Sequence, residues 1–364
     1  MNLTEKVKNL PLSPGVYLMK DSLGHIIYVG KAKQLKKRVQ SYFYNSKGHS
    51  PKVKQLVAHI RDLEYRLTDT EFEAFMLECQ LIHEIKPMYN RKMKNPLNYT
   101  YIAIRTNHAY SRIEVTSDMD VQEGTLLFGP YTSRSTVERA VRGLEESMKI
   151  LCSGSSGKHS LCWNHSLGLC IGVCAGGEAL IQYTNIRSRI IALLDGSDSG
   201  VLDEMEQRML QAAENFDFEA AAKMRDYIGA VRFLQQKEKV TRFAGENRRF
   251  AVLEGMDDNL LKLLLIQGCR LVGQQRIETE NLGNDALRSI LCSFIREVFG
   301  TLPLQTSLEI SRHEIDEAQI IYSYLKSSSC SHLEVPAEWT RPEPEDGLEE
   351  AVEQLLAAST DFLP

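Results

Sequence analysis

The fold of the N-terminal region is set by residues 14–31, which read PGVYLMKDSLGHIIYVGK. Two short runs of strand-forming residues, 15–19 and 25–29, flank the polar tetrapeptide at residues 21–24. This order of β-rich run, turn residues and β-rich run is typical of a β-hairpin. The sequence therefore predicts two antiparallel strands joined by a tight turn.

The hairpin carries two tyrosines and a cation at its end. Tyr17 and Tyr28 leave adjacent strands, so their hydroxyl groups can lie close together. Gly30 allows a tight backbone turn before Lys31, because glycine has no Cβ atom.

A basic helix is predicted next, over residues 32–44. Arg38 and Tyr42 stand four residues apart and therefore share one face of it. Hydroxyl, ammonium and guanidinium groups in one place suit the oxygens of a phosphate group. The alternative is a set of core tyrosines with cations at the surface.

A carboxylate on an apolar helix face points to a bound cation. A further helix is predicted over residues 70–86, since a capping box opens it and a proline follows it. Glu78 has apolar residues three and four positions away on both sides. Such a carboxylate is costly unless it binds a divalent metal ion or forms a structural salt bridge with Arg38 or Lys31. Asn90, just beyond this helix, can order a phosphate or a water molecule.

Charge is unevenly distributed along the chain. The 364 residues carry a net charge of −5, yet residues 1–60 hold eleven Lys and Arg against two acids, which leaves the remainder strongly acidic. This asymmetry is typical of a nucleic-acid-binding head followed by a protein-binding body. A solvated lysine-rich face is the alternative.

The composition excludes several classes of protein. With 43% apolar and 25% charged residues, the chain is neither disordered nor collagen-like nor a coiled coil. The longest apolar run, residues 260–266, is broken by Lys262 and is too short to span a bilayer. The N-terminus lacks an apolar core and a cleavage site, so we expect a cytoplasmic protein with no membrane partner and reduced thiols.

Four cysteines cluster in a segment rich in glycine and serine. Cys152, Cys162, Cys170 and Cys174 follow the spacing C-x9-C-x7-C-x3-C. Metal binding is the favoured interpretation, as zinc or as an iron–sulfur cluster, with disulfides or chance clustering as the alternatives. The remaining cysteines are predicted to be buried small apolar residues: Cys79, Cys269, Cys292 and Cys330.

The rest of the chain is predicted to alternate strands and helices. We expect strands at 101–105 and 112–116, a turn around Gly129-Pro130-Tyr131 and a helix over 135–149. Two helices over 201–239, separated by residues 215–217, form a hairpin that packs on the body or awaits a partner. Residues 248–335 follow the order of a ribonuclease-H-like fold, with one strand at 307–310, and the end of the chain is predicted to be an acidic exposed helix or tail.

These motifs together resemble a known nuclease domain. Gly15-Val16-Tyr17 and Tyr28-Val29-Gly30, with the downstream Lys31, Arg38, Tyr42, Glu78 and Asn90, are similar to the GIY-YIG domain of the UvrC family of excinucleases. Valine replaces isoleucine in both halves of the motif, which removes no functional group. The similarity covers most of residues 10–240 and, more loosely, 250–340.

The resemblance implies phosphodiester hydrolysis by one divalent metal ion. Glu78 would bind Mg²⁺ or Mn²⁺, and Tyr17 or Tyr28 would activate the attacking water. Arg38 and Tyr42 would hold the phosphate, helped by Lys31 and supported by Asn90. Cations of the basic helix would contact DNA: Lys33, Lys36 and Lys37.

The resemblance also implies a cofactor and partners. In the UvrC family the matching cysteines are associated with a [4Fe–4S] cluster, and the helical hairpin resembles the UVR motif, which pairs with UvrB. Phe216 and Phe218 would anchor that contact. The expected function is incision on the 3′ side of a lesion in damaged double-stranded DNA, with UvrA acting indirectly; the alternative is a non-catalytic adapter that binds UvrB and DNA.

The fold class expected from these observations is α/β (α+β). The ribonuclease-H-like piece is expected to be non-catalytic. Its candidate carboxylates are Glu254, Glu297 and Glu309, but its first strand has no aspartate in the middle. The chain is expected to begin with a GIY-YIG domain with a small mixed sheet (1–98), a connecting segment (99–150) and a cysteine-rich metal-binding segment (151–178). The UVR hairpin (200–239), the ribonuclease-H-like domain (248–340) and an acidic tail (341–364) are expected to follow.

Overall fold

The computed structural model divides the chain into two compact units, residues 1–96 with 243–364, and residues 97–242. It describes residues 2–44, 48–90, 99–108, 110–118, 122–154, 161–256, 259–280, 282–303, 314–327, 330–341 and 347–359. None of the helices in these ranges combines the length and apolar character needed to span a lipid bilayer.

Within its described residues, the N-terminal part of the first unit is a three-stranded antiparallel sheet with four helices. Its strands lie in the order β2-β1-β3. In chain order the elements are α1 Leu3–Lys8, β1 Gly15–Lys20, β2 Ile26–Ala32, α2 Leu35–Tyr44, α3 Pro51–His59, β3 Asp62–Leu67 and α4 Glu71–Ile85. The predicted hairpin is β1 and β2, and the capping box at Thr70 and Glu73 opens α4 as predicted.

Strand β3 was not predicted from sequence. It pairs along its whole length with β1, Tyr65 lying opposite Tyr17. Most of its side chains are exposed, so no two-residue apolar alternation marks it in the sequence.

The sheet is covered on both faces. On one face Tyr17, Met19 and Leu63 pack with α1, α2 and α3. On the other face Val16, Leu18 and Val29 pack with Ala74, Leu81 and Ile82 of α4. The sheet is thereby held between the basic helix and the helix that carries Glu78.

The second unit contains a three-stranded antiparallel sheet and five helices within its described residues. The strands lie in the order β5-β4-β6. The elements are β4 Thr100–Arg105, β5 Glu114–Thr116, β6 Thr125–Tyr131, α5 Arg134–Ser147, α6 Trp163–Ser166, α7 Glu178–Asp195, α8 Gly200–Glu214 and α9 Phe218–Gly245, which ends just beyond this unit. The turn predicted at Gly129-Pro130-Tyr131 is wrong: these residues end strand β6, with a cis Gly129–Pro130 bond. Helix α7 was not predicted.

The helical hairpin α8–α9 packs on its own unit at its base. Met205, Ile228 and Val231 lie in one core cluster with Ile190 and Leu194 of α7. At its tip, Phe216 is 80% exposed and Phe218 is 66% exposed. The hairpin therefore packs on the body and leaves its tip free.

The C-terminal part of the first unit is a four-stranded antiparallel sheet with three helices among the described residues. The strand order is β10-β7-β8-β9. The elements are β7 Arg249–Gly255, β8 Leu260–Gln267, β9 Arg270–Glu278, α10 Asn284–Thr301, α11 Glu314–Leu325, β10 Ser331–Glu334 and α12 Leu348–Ala358. The strand expected at 307–310 lies outside the described residues, and the ribonuclease-H-like assignment stays a prediction.

The expected exposed tail is partly wrong. Leu348, Val352, Leu355 and Leu356 of α12 are buried in the cluster formed by α10 and one face of the sheet. Their spacing gives the helix one apolar stripe. The composition of this segment is dominated by acidic residues, and composition alone therefore does not indicate the stripe.

Candidate active site and metal centre

Three tyrosines form the centre of the candidate active site. Tyr17 on β1, Tyr28 on β2 and Tyr42 on α2 have ring centroids 6.0–6.3 Å apart. The hydroxyl oxygens of Tyr17 and Tyr42 are 2.9 Å apart. Tyr17 is completely buried, whereas Tyr28 is half-buried. Of the two hairpin tyrosines, Tyr28 is the one that solvent can reach.

Arg38 brings a positive charge to this group. Its Nη2 atom donates to the Tyr42 hydroxyl at 3.4 Å, and its guanidinium carbon lies 5.3 Å from the centre of that ring. Burial and the neighbouring phenols raise the pKa values of Tyr17 and Tyr28, while Arg38 opposes this rise. Both phenols are consequently protonated at neutral pH.

Glu78 extends from α4 to the end of strand β2. Its Oε1 atom accepts a hydrogen bond from the backbone N–H of Lys31 at 3.1 Å. Burial raises the pKa of this carboxyl, and the Lys31 backbone, Lys31 and Arg38 oppose the rise. In the described ranges no ion pair involves Glu78, so neither of the salt bridges considered from sequence forms there.

The Lys31 side chain is held by a different acid. Its Nζ atom pairs with Glu71 Oε1 at 2.8 Å and lies 4.2 Å from the centre of the Phe75 ring. Glu71 was missed in the sequence. Its position seven residues before Glu78, two turns along the same helix, is the signal that could have identified it.

Asn90 holds strand β2 through its side-chain amide. Its Nδ2 atom donates to the Val29 carbonyl at 2.9 Å, and its Oδ1 atom accepts from the Val29 N–H at 3.0 Å. Val29 stands between Tyr28 and Gly30, so this buried amide fixes the strand at the site. The expected turn at Gly30 is wrong, since Gly30 lies inside β2 opposite Tyr17.

Of the cations predicted to contact DNA, Lys33 precedes α2, and Lys36 and Lys37 lie in its first turn. Lys33 and Lys37 are exposed and Lys36 is half-exposed. They add positive charge in the sequence immediately before Arg38.

The side chains of the four clustered cysteines lie close together in the structure. The sulfur atoms of Cys152, Cys162, Cys170 and Cys174 lie within 4.8 Å of one another, and all four residues are buried. Cys79, Cys269 and Cys292 are buried elsewhere, and Cys330 is half-buried.

The surroundings favour a thiolate at one of these positions. Burial would raise the pKa of Cys162, but hydrogen bonds at the backbone of Ser153 and His165 outweigh it and lower that pKa to about 6. Burial raises the pKa of Cys170 to about 12. Four thiols that converge in this way suit a metal bound by thiolates alone. Binding of the metal would release the protons of the thiols that are still protonated.

A second carboxylate cluster does not form between Glu254 and Glu297. Glu254 accepts a hydrogen bond from the Tyr324 hydroxyl at 2.6 Å. Glu297 is exposed on α10, which packs on the opposite face of the sheet. Glu309 lies outside the described residues.

Three family models match the chain. Residues 13–91 match the UvrC-like GIY-YIG domain, residues 99–192 the middle domain of the UvrC/Cho excinucleases and residues 199–232 the UvrB/UvrC motif.

Curated relatives match nearly the whole chain. The UvrABC system protein C of Clostridium perfringens is 35% identical over 342 residues, which are 91% of this chain and 54% of the relative. The protein of the same name from Acetivibrio thermocellus is 32% identical over 343 residues, 92% of this chain and 55% of the relative. The chain thus spans about half the length of the curated relatives it matches.

A solved structure matches the N-terminal region. The magnesium-bound N-terminal GIY-YIG endonuclease domain of UvrC from Thermotoga maritima is 38% identical, covering 24% of this chain and 94% of that domain, with a TM-score of 0.22. The matched models and relatives agree with the motifs from residue 15 to residue 232. The chain belongs to the UvrC family.

Proposed function

We propose that this chain is a metal-dependent DNA endonuclease of nucleotide excision repair. The observation that carries the proposal is Glu78, a half-buried carboxylate at the tyrosine group that forms no ion pair within the described residues. A carboxylate in this position binds a hard divalent cation with one protein ligand, water and phosphate oxygens. Mg²⁺ or Mn²⁺ bound there supplies charge that stabilises the phosphate in the transition state.

The residues of the chain have separate tasks in this proposal. Tyr28, the solvent-accessible member of the hairpin pair, holds the attacking water. Arg38 opposes the rise that burial causes in the pKa of Tyr28, so its positive charge stabilises the phenolate that would accept a proton from the water at Tyr28 Oη. Arg38 and Tyr42 bind a non-bridging phosphate oxygen, because they present a guanidinium and a hydroxyl side by side. Tyr17 is buried behind them and positions Tyr42.

The basic helix and the hairpin bring the substrate and a partner protein to the site. Lys33, Lys36 and Lys37 contact the phosphate backbone, and this part of the affinity falls as salt rises. The exposed Phe216 and Phe218 dock on UvrB, since two aromatic rings at a charged turn form a compact apolar anchor. In such a complex on damaged DNA, the nuclease cuts on the 3′ side of the lesion.

The four-cysteine site holds a metal centre in this proposal. An iron–sulfur cluster follows from the resemblance to the family, and zinc is the alternative. The sulfur separations of at most 4.8 Å suit one tetrahedral ion without rearrangement. A cluster requires the sulfurs to move apart, because each thiolate binds a different iron atom.

The experiment that tests the activity compares three forms of the protein on duplex DNA with one bulky lesion, in the presence of UvrA, UvrB and Mg²⁺. The forms are wild type, Glu78→Gln and Glu84→Gln, the last changing an exposed acid of the same helix. We expect Glu78→Gln to cut about 100-fold more slowly or worse, and Glu84→Gln to cut normally. Labelling each strand end in turn shows which side of the lesion is cut.

Equal background cutting by wild type and Glu78→Gln, with binding to UvrB and DNA intact, would support the adapter function instead. Cutting on the 5′ side would overturn the proposed side of incision and leave the nuclease assignment standing.

A further inference from the structure

A buried lysine interrupts the most apolar strand of the first unit. Lys262 is 3% exposed, in the middle of β8, between Leu261 and Leu263. Its neighbours on the strand face α10 and α12, whereas Lys262, Leu264 and Ile266 face the side where α4 and α11 pack. A buried ammonium group is costly unless it is paired, so its partners reveal why it is there.

The partners of Lys262 lie at the start of the helix that carries Glu78. The Lys262 ammonium is 2.5 Å from Asp69 Oδ2 and 3.1 Å from Glu73 Oε1. Arg276, directly opposite Lys262 on β9, also pairs with Asp69 through Nε at 2.7 Å. Two cations of the C-terminal sheet therefore hold two acids at the start of α4: Asp69, just before the N-cap Thr70, and Glu73, in the first turn.

Glu73 connects this ion cluster to the helix cap. Its Oε2 atom accepts hydrogen bonds from the backbone N–H groups of Thr70 at 2.9 Å and Asp69 at 3.1 Å. The Thr70 hydroxyl in turn accepts from the Glu73 N–H at 3.2 Å. One carboxylate thus caps α4 with one oxygen and binds Lys262 with the other.

The rest of α4 also packs against the C-terminal sheet and α11. Phe72, Met76 and Cys79 share one face of the helix and pack with the sheet and with α11. The Phe72 ring stacks on Tyr324 with centroids 4.0 Å apart. Near the end of the helix, His83 Nε2 lies 3.2 Å from Asp316 Oδ2. Helix α4 therefore lies between its own sheet and the C-terminal sheet, within one compact unit.

We propose that Lys262 is a positioning residue for Glu78, and that the sheet of β7, β8, β9 and β10, together with α11, acts as the platform that sets the register of the metal-binding helix. This inference rests on the proposed nuclease function. Apolar contacts along α4 are not directional, so they specify its register less strictly than paired charges do. The buried ion cluster fixes one register, because any other leaves charges unpaired in the interior.

Two variants test the inference. Lys262→Met leaves Asp69 and Glu73 buried without their lysine. The triple variant Lys262→Met, Asp69→Asn, Glu73→Gln removes the three buried charges together and leaves only Arg276, whose side chain is 60% exposed. Glutamine keeps the capping box. Replacing all members of a buried ion cluster commonly preserves stability, whereas removing one member does not. The triple variant therefore allows the measurements even if the single variant does not fold.

Two readouts apply to each folded variant. The first is hydrogen exchange of α4 amides, residues 71–85, compared with α10 amides, residues 284–301, on the other face of the sheet. The second is the Mg²⁺ concentration that gives half-maximal nicking. We expect α4 exchange to rise about tenfold while α10 is unchanged, and the half-saturating Mg²⁺ concentration to rise about tenfold in both variants.

Unchanged α4 exchange and unchanged Mg²⁺ dependence in the triple variant would overturn the inference. An equal rise of exchange in α4 and α10 would also overturn it, because Lys262 would then contribute to overall stability alone. Failure of the nuclease proposal is distinguishable: wild type would not nick, while the exchange readout still tests the platform.

Discussion

A Cβ atom at position 30 would lie 2.4 Å from the hydroxyl oxygen of Tyr17 on the neighbouring strand. Gly30 and Tyr17 are direct cross-strand partners, and the ring of Tyr17 lies over the glycine backbone. That ring is buried and its hydroxyl is engaged by Tyr42, so it has no room to move aside. The glycine of the second strand is therefore required by close packing of the first tyrosine.

Gly30→Ala is expected to disturb the tyrosine group. The new methyl group would displace the Tyr17 ring, which costs about 1–3 kcal/mol of stability for overpacking and separates Tyr17 from Tyr42. We expect a lower midpoint in urea unfolding and a nicking rate reduced by about tenfold or more. Gly48→Ala is the matched control, since a Cβ atom there meets nothing within 4 Å. Wild-type nicking by Gly30→Ala would contradict this account of the site.

The buried phenol of Tyr17 is expected to make the protein sensitive to alkali. Burial and the neighbouring phenols raise its pKa in the folded state, whereas an unfolded tyrosine ionises near pH 10. The folded state therefore holds more protons above about pH 10, and its stability falls as pH rises beyond that point.

Tyr17→Phe should remove part of this alkaline loss. Urea unfolding at several values between pH 8 and pH 11 measures the slope of stability against pH. Tyr44→Phe, at an exposed hydroxyl, should keep the wild-type slope. The same slope for Tyr17→Phe and wild type would show that this phenol does not contribute.

Cys170→Ser is expected to abolish the metal centre. In the proposed centre four thiolates would hold the metal, and a hydroxyl is a poor substitute for any of them. Anaerobically purified wild type should contain iron and sulfide with visible absorbance, or else zinc without it, and the variant should lose most of either. Cys330→Ser, at a cysteine outside the cluster, should retain the metal. Full metal content in Cys170→Ser would exclude the four-cysteine site.

The exposed rings at the hairpin tip are expected to carry binding to UvrB. Replacing Phe216 and Phe218 together by alanine should weaken binding by about 2 kcal/mol or more, because paired aromatic anchors dominate such contacts. Calorimetry with purified UvrB measures the change, and the unfolding midpoint should hardly move. Ile181→Ala, at another exposed apolar residue, is the control. Undiminished affinity in the double variant would place the UvrB contact elsewhere.

Helix α12 is expected to stabilise the fold. Leu348 is completely buried against the α10 cluster, so Leu348→Ala should cost about 2–5 kcal/mol. Glu350→Ala, on the exposed side of the helix, should cost little. Denaturant unfolding measures the stability of both variants. Equal stability of Leu348→Ala and Glu350→Ala would mean that α12 does not pack against α10 in solution.

Local chemistry made several elements predictable. Helix α4 was placed to within one residue at either end, because a capping box starts it and Pro87 follows closely. The hairpin of β1 and β2 was equally clear from its turn. Strand β3 and helix α12 were missed or misjudged, because the first depends on pairing with β1 and the second on a stripe of four apolar residues in an acidic segment.

The sequence by itself determined the chemical groups of the site and their local geometry: two tyrosines on one hairpin, Arg38 and Tyr42 on one helix face, and a carboxylate among apolar neighbours. Tertiary structure alone decided which groups meet. Lys31 directs its ammonium to Glu71 and its backbone N–H to Glu78, and Lys262 reaches Asp69 across 193 positions of sequence. The reason is physical: periodicity and capping act within a few residues, whereas the partner of a buried charge is fixed by packing between distant segments.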